Sequence, residues 1–155
     1  MDHTRRYILK GVWAVGALAS AVATGLLSPG RALAAWNKGA FEAKNTADAM
    51  RALGVANAED TKAIEIQAPE IAENGAVVPI DITSNIPGTT SISVFIEKNP
   101  FPYTGTFDFS QGSVPYVHLR VKIGESSPVR VVATAGGRHY TTAKEVKVTI
   151  GGCGG

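Results

Sequence analysis

Cysteine is nearly absent from this chain: Cys153 is the only one among 155 residues. A single thiol excludes a disulfide within the chain and any zinc site built on paired cysteines. Histidine is scarce as well. His3, His118 and His139 stand far apart, and no two have metal-ligand spacing, so no metal site is expected. The sequence has no G-x-S-x-G elbow, no phosphate-binding loop and no dinucleotide fingerprint, which removes the common motifs of nucleophilic hydrolysis and nucleotide binding. Acidic residues such as Asp81, Asp108 and Glu125 are scattered rather than paired. Aromatics make up only 7% and charged residues 18%, whereas hydrophobic residues reach 45%. That balance suits one globular domain, and the length is too small for two sizeable cores.

The net charge of +2 is the next feature to locate. It comes from the N-terminus. Arg5, Arg6 and Lys10 precede a mild apolar run from Gly11 to Leu27, and Ala32-Leu33-Ala34 fits a small-x-small cleavage site. This is the layout of an export signal, and the adjacent arginines resemble the twin-arginine motif, with Thr4 and Ile8 as departures from its usual residues. An uncleaved membrane anchor fits less well. The run is short for a spanning helix and is interrupted by Gly11, Gly16 and Gly25. Residues 1–34 are therefore expected to be a cleaved signal peptide, and the destination periplasmic. Without Arg5, Arg6, Lys10, Arg31 and Asp2, 11 basic and 12 acidic residues remain, a net charge of −1. No nucleic-acid binder is expected from that balance, and no membrane association after cleavage. Twin-arginine export carries folded proteins, so a partner without its own signal could travel with this one.

Beyond the signal, residues 35–62 read as a helical lead. Its helical part spans 36–54, with a break near Asn45 and a stop at Gly54. From Ala63 the hydrophobic period becomes two. Ile64 and Ile66 share a face, as do Ile80 and Ile82. Val117, Leu119, Val121 and Ile123 alternate with His118, Arg120 and Lys122. Further strand candidates are "TSISVFIEK", "VRVVATA" and "KEVKVTI", and turn signals such as Pro87-Gly88 and Gly136-Gly137 separate them. The expected fold is mainly β: an immunoglobulin-like antiparallel β-sandwich over 63–150, after a short helical lead. His139 is expected in a turn. In "NPFPYTGTFDF" a Pro-rich loop leads into a strand with Phe107 and Phe109 facing inward; an exposed partner-binding cluster is the alternative.

The last strand is expected to stop at Ile150. Gly151, Gly152, Gly154 and Gly155 then surround Cys153. Glycine has no side chain to bury and the widest backbone freedom, so 151–155 read as a flexible arm that delivers a thiol elsewhere. A free thiol titrates near about 8.5, and nothing in the neighbouring sequence activates it, so activation falls to whatever site receives the arm. Cys153 would then be a covalent attachment point and no catalytic residue would lie in this chain. Other readings stay open: an exported structural or adhesion-type sandwich dimerising through a disulfide at Cys153, a metal-chelating end, plain filler, or an enzyme pairing Cys153 with His118 or His139.

The twin-arginine signal, the lead ending in "ADAMRALG", the stretch "APEIAENGAVVPIDI" (68–82), the sandwich and the "GGCGG" motif together resemble the SoxY family. These are the sulfur-carrier subunits of the periplasmic thiosulfate-oxidising system. The resemblance spans essentially the whole chain. It implies a heterodimer with a SoxZ-like subunit. A c-type cytochrome would join thiosulfate to Cys153 as a cysteine S-thiosulfonate. A manganese hydrolase would release sulfate, and a molybdenum–haem sulfur dehydrogenase would act on the remaining sulfur. The resemblance places those cofactors in the partners, leaving this chain only covalently bound sulfur.

Overall fold

The computed structural model describes residues 37–149. The signal motif Arg5-Arg6, Ile150 and the glycine segment with Cys153 lie outside the described residues.

The lead forms two short helices, α1 (Lys38–Glu42) and α2 (Thr46–Ala52). Asparagines start both. The Asn37 side chain accepts from the Ala40 amide and the Asn45 side chain from the Asp48 amide, as expected of a short side-chain acceptor at an N-cap. Asn37 also donates its Nδ2 to the Ala52 carbonyl at 2.8 Å, tying the start of α1 to the end of α2. The expected break near Asn45 and the stop at Gly54, whose φ is +74°, are both present.

Nine strands follow: β1 (Glu59–Asp60), β2 (Ile64–Gln67), β3 (Ile71–Ala72), β4 (Val78–Ser84), β5 (Thr89–Ile96), β6 (Tyr103–Asp108), β7 (Tyr116–Val121), β8 (Ser127–Ala135) and β9 (Arg138–Val148). They form a wide sheet in the order β1-β9-β8-β5-β6, with β3 also on β9, and a narrow sheet in the order β2-β4-β7. Ile66, Ile80, Ile82 and Val117 of the narrow sheet pack against Ile92, Val94, Val131 and Val146 of the wide one. This is the sandwich that the period-two pattern implies, and its long ladders are antiparallel.

The wide sheet is buried on both faces. Phe95 and Val132 alternate with the core residues Val94 and Val131. They pack with Tyr103 against Ala40, Ala49 and Val55 of the helical layer. Unbroken runs such as Val94-Phe95-Ile96 therefore reflect two covered faces, as in any doubly covered strand.

Several expectations need correction. Two short strands, β1 and β3, run parallel to β9, and β1 already lies within 35–62, the stretch read as the lead. Two-residue strands are too short for a period to show. Strand β9 starts at Arg138 rather than Lys144, because Gly136 and Gly137 (φ +57° and +75°) make a two-residue hairpin. His139 is therefore in a strand and not in a turn. Strand β9 ends at Val148, two residues before the expected stop. Phe107 is exposed, although its cross-strand partner is the core residue Ile92. It lies on β6, the edge of the wider sheet, whereas Phe109 does pack against the core.

The loop entering β4 packs closely. A Cβ placed on Gly75 would lie 2.3 Å from the Ile123 carbonyl oxygen and 2.8 Å from Val148 Cγ1. The Ile123 amide donates to the Gly75 carbonyl at 2.7 Å. Gly75→Ala is expected to lower the unfolding free energy by about 1–3 kcal/mol through overpacking, read by urea denaturation. Phe95→Ala, which empties the contact between sheet and helices, is expected to cost about 3–5 kcal/mol in the same measurement.

Candidate functional site

The strand that leads toward Cys153 is pinned at its end on both sides. The Lys147 amide donates to the Glu70 carbonyl at 2.9 Å and the Thr149 amide to the Ala72 carbonyl at 3.2 Å. Between them the Val148 amide points the other way and donates to Ser126 Oγ at 2.9 Å. The alternation follows from the strand itself, in which successive amides face opposite edges. A side chain is needed on the β8 side because the ladder between β8 and β9 begins only at Ser127, opposite Val146. Ser126 thus replaces a backbone acceptor. Val146 is fully buried and Val148 packs against the core. The chain is held as far as the Thr149 amide.

Two other residues weighed in the sequence are brought together. His118 Nδ1 lies 2.9 Å from Asp81 Oδ1 across the β4–β7 ladder, where the two residues are direct partners. The Tyr116 hydroxyl donates to the same carboxylate oxygen. These hydrogen bonds, from Tyr116 first and His118 second, hold the Asp81 carboxyl below the usual carboxylate range. The bond to that carboxylate in turn raises the Tyr116 phenol above its ordinary value. Tyr116 was missed in the sequence because it precedes the alternating segment. Its spacing of two from His118 was the available signal, since it places both on one face. All three are solvent-facing, on the side of the narrow sheet away from the core.

His139 is elsewhere. Its Nδ1 lies 3.1 Å from Thr134 Oγ1, beside the β8–β9 hairpin. Ten residues of extended chain separate it from Thr149, about 33 Å. The four residues from Thr149 to Cys153 span at most about 14 Å. A Cys153–His139 pair within one chain is therefore excluded by length.

Among the described residues, no group of three or more His, Cys, Asp or Glu could hold a metal ion. No described helix is long and apolar enough to cross a membrane. An open cleft of about 500 Å³ lies between the β4–β5 and β6–β7 loops, lined by uncharged residues including Ser84, Ile86, Thr89, Phe109, Gln111 and Pro115.

Comparison with known proteins places these features. The family model described as "Sulfur oxidation protein SoxY" matches residues 49–153, a span that contains all nine strands and includes Cys153. A solved structure titled "Structure of the sulfur carrier protein SoxY from Chlorobium limicola f thiosulfatophilum" is 41% identical. The match covers 66% of this chain and 96% of that one, with a TM-score of 0.60. A structure of the bacterial superantigen toxic shock syndrome toxin-1 is 15% identical over 56% of this chain and 99% of its own, with a TM-score of 0.41, too low to carry an argument. No curated protein matches the chain. With two thirds of the sequence matched by the family model and a SoxY structure 41% identical, the chain belongs to the SoxY family.

Proposed function

We propose that this protein is a covalent sulfur carrier in thiosulfate oxidation and that Cys153 is the attachment point. The observation that carries this reading is the family match, which runs through the described domain and extends to Cys153 itself. The pinned strand end supports it, since a domain that holds the chain firmly up to Thr149 is a suitable base for a carrier segment.

In this reading the chain supplies a nucleophile and a mount, and the redox and hydrolytic groups belong to partners. Attachment joins the Cys153 thiolate to the sulfane sulfur of thiosulfate. One S–S bond forms and two electrons leave, to a c-type cytochrome acting as oxidant. Hydrolysis by a manganese-dependent partner adds water to the terminal sulfonate. Sulfate leaves with two protons, and a persulfide stays on Cys153. A sulfur dehydrogenase would oxidise that persulfide to a cysteine S-sulfonate, with three waters supplying the oxygens and six electrons passing to the haem of that partner; a further hydrolysis would release sulfate and free the thiol. Gly151, Gly152, Gly154 and Gly155 carry no side chains, so the segment stays thin enough for a narrow channel.

A SoxZ-like subunit is the proposed heterodimer partner. The proposed location is the periplasm, reached in folded form by the twin-arginine route through Arg5 and Arg6.

Cys153→Ser is expected to abolish thiosulfate oxidation in the reconstituted system while leaving the unfolding midpoint unchanged. Intact-mass spectra of the unaltered protein are expected to show thiosulfonate or persulfide adducts confined to the peptide containing Cys153. Full turnover by the serine variant would remove the carrier reading. Replacing Arg5 and Arg6 together by lysine is expected to leave unprocessed precursor in the cytoplasmic fraction, read by fractionation and immunoblotting.

A further inference from the structure

We infer that Glu70, Ala72 and Ser126 form a clamp that fixes the pivot of the carrier segment at Thr149, confining Cys153 to one end of the sandwich. This rests on the reading of Cys153 as the carrier thiol.

The three pins act on three successive amides, those of Lys147, Val148 and Thr149, from alternate sides. Strand β3 is only two residues long and, among the described residues, pairs with the end of β9 alone. It hardly widens the sheet. What it does is hold the last two turns of the pleat.

The clamp sets a length. Beyond Thr149, four residues reach at most about 14 Å to the Cys153 Cα. Strand β8 runs from Ser127, near the clamp, to Ala135, which pairs with Thr89 at the open cleft. Those eight steps span about 26 Å. The cleft is thus about twice as far from the pivot as the thiol can travel, and a molecule bound there is not served by the thiol of the same chain. Were the clamp released back to Val146, seven residues would be free, with a reach of about 24 Å. Holding the pivot therefore keeps the thiol in a small volume, and an effective concentration falls as a tether lengthens.

Disulfide trapping in the full chain, at concentrations low enough to disfavour dimers, tests the clamp without sulfur substrate. One engineered cysteine, Glu125→Cys, lies next to Ser126. The other, Asp60→Cys, lies on exposed β1 opposite Thr141, eight residues of strand or about 27 Å from Thr149. A disulfide brings Cα atoms within about 6 Å, so only the first site is within reach of a clamped Cys153. Trapping at residue 125 is expected to be at least about tenfold faster than at 60. The triple substitution Lys147→Pro, Ser126→Ala and Thr149→Pro deletes all three pins, and is expected to bring the two rates within about threefold. The midpoint of unfolding and trapping at 125 serve as controls for the fold. Should the triple variant not fold, Ser126→Ala alone is expected to speed hydrogen exchange at the Val148 amide at least about tenfold, with the amides of β5 unchanged. Equal trapping at both sites with the clamp intact overturns the inference. So does an unchanged preference in a folded triple variant, or unchanged exchange at Val148 in Ser126→Ala. Failure of Cys153 to take up thiosulfate, with trapping as expected, removes the carrier reading alone.

Discussion

Main-chain hydrogen bonding along β9 is the constraint on which the rest of this structure depends. Nine of its eleven residues, Arg138 to Val146, pair with β8, closing the longest ladder of the wide sheet. Its other edge is met at each end by a short parallel strand, β1 near Tyr140 and β3 near Lys147. Those contacts do different work. The pairing with β1 brings the chain that follows the helices back to the sheet, and the Arg138 guanidinium reaches both oxygens of Glu59 at 2.7 and 2.8 Å across that junction. The pairing with β3 fixes the exit of the chain toward Cys153. Val146, in the same strand, completes the core. A single strand thus joins helix attachment, sandwich core and carrier mount.

The helical layer explains how so few aromatic residues suffice. Phe41 and Tyr103 rings lie 4.5 Å apart and Phe95 and Tyr103 rings 5.6 Å apart, so three rings fill the seam between α1 and the wide sheet. The Lys44 ammonium lies 3.5 Å from the centre of the Phe101 ring and adds a contact between the lead and the β5–β6 loop. The main core between the sheets uses Ile and Val almost exclusively, the β-branched residues that suit a pleated surface.

The sandwich was legible because Ile64, Ile66, Ile80, Ile82 and the 117–123 segment each alternate, and alternation places one face in the core. The helix breaks were legible from Asn45 and Gly54, whose side-chain chemistry and backbone freedom act locally. What escaped depends on pairing across long sequence distances. Nothing in Glu59-Asp60 or Ile71-Ala72 marks them as strands, since their partner lies about 75 to 80 residues away in the chain. Phe107 follows the right alternation, but exposure at a sheet edge depends on the width of the opposing sheet. Ser126 carries no signal at all. Its role arises only because the β8–β9 ladder stops at Ser127, two residues short of the carbonyl that would face the Val148 amide. Cys153 differs in kind, because the proposal for it rests on what surrounds it in sequence, four glycines and no second thiol.

Strand β9 has another consequence. An eleven-residue edge with its outer amides and carbonyls unpaired would be a template for sheet extension between molecules, the usual route to aggregation. Strands β1 and β3 cover the two ends of that edge and leave a gap at residues 142–146. Lys144 and Glu145 sit in the gap, and charge on an open edge discourages a second strand from adding there. The same short parallel strands that organise this fold therefore also leave little open edge on β9 for a strand of another molecule to extend.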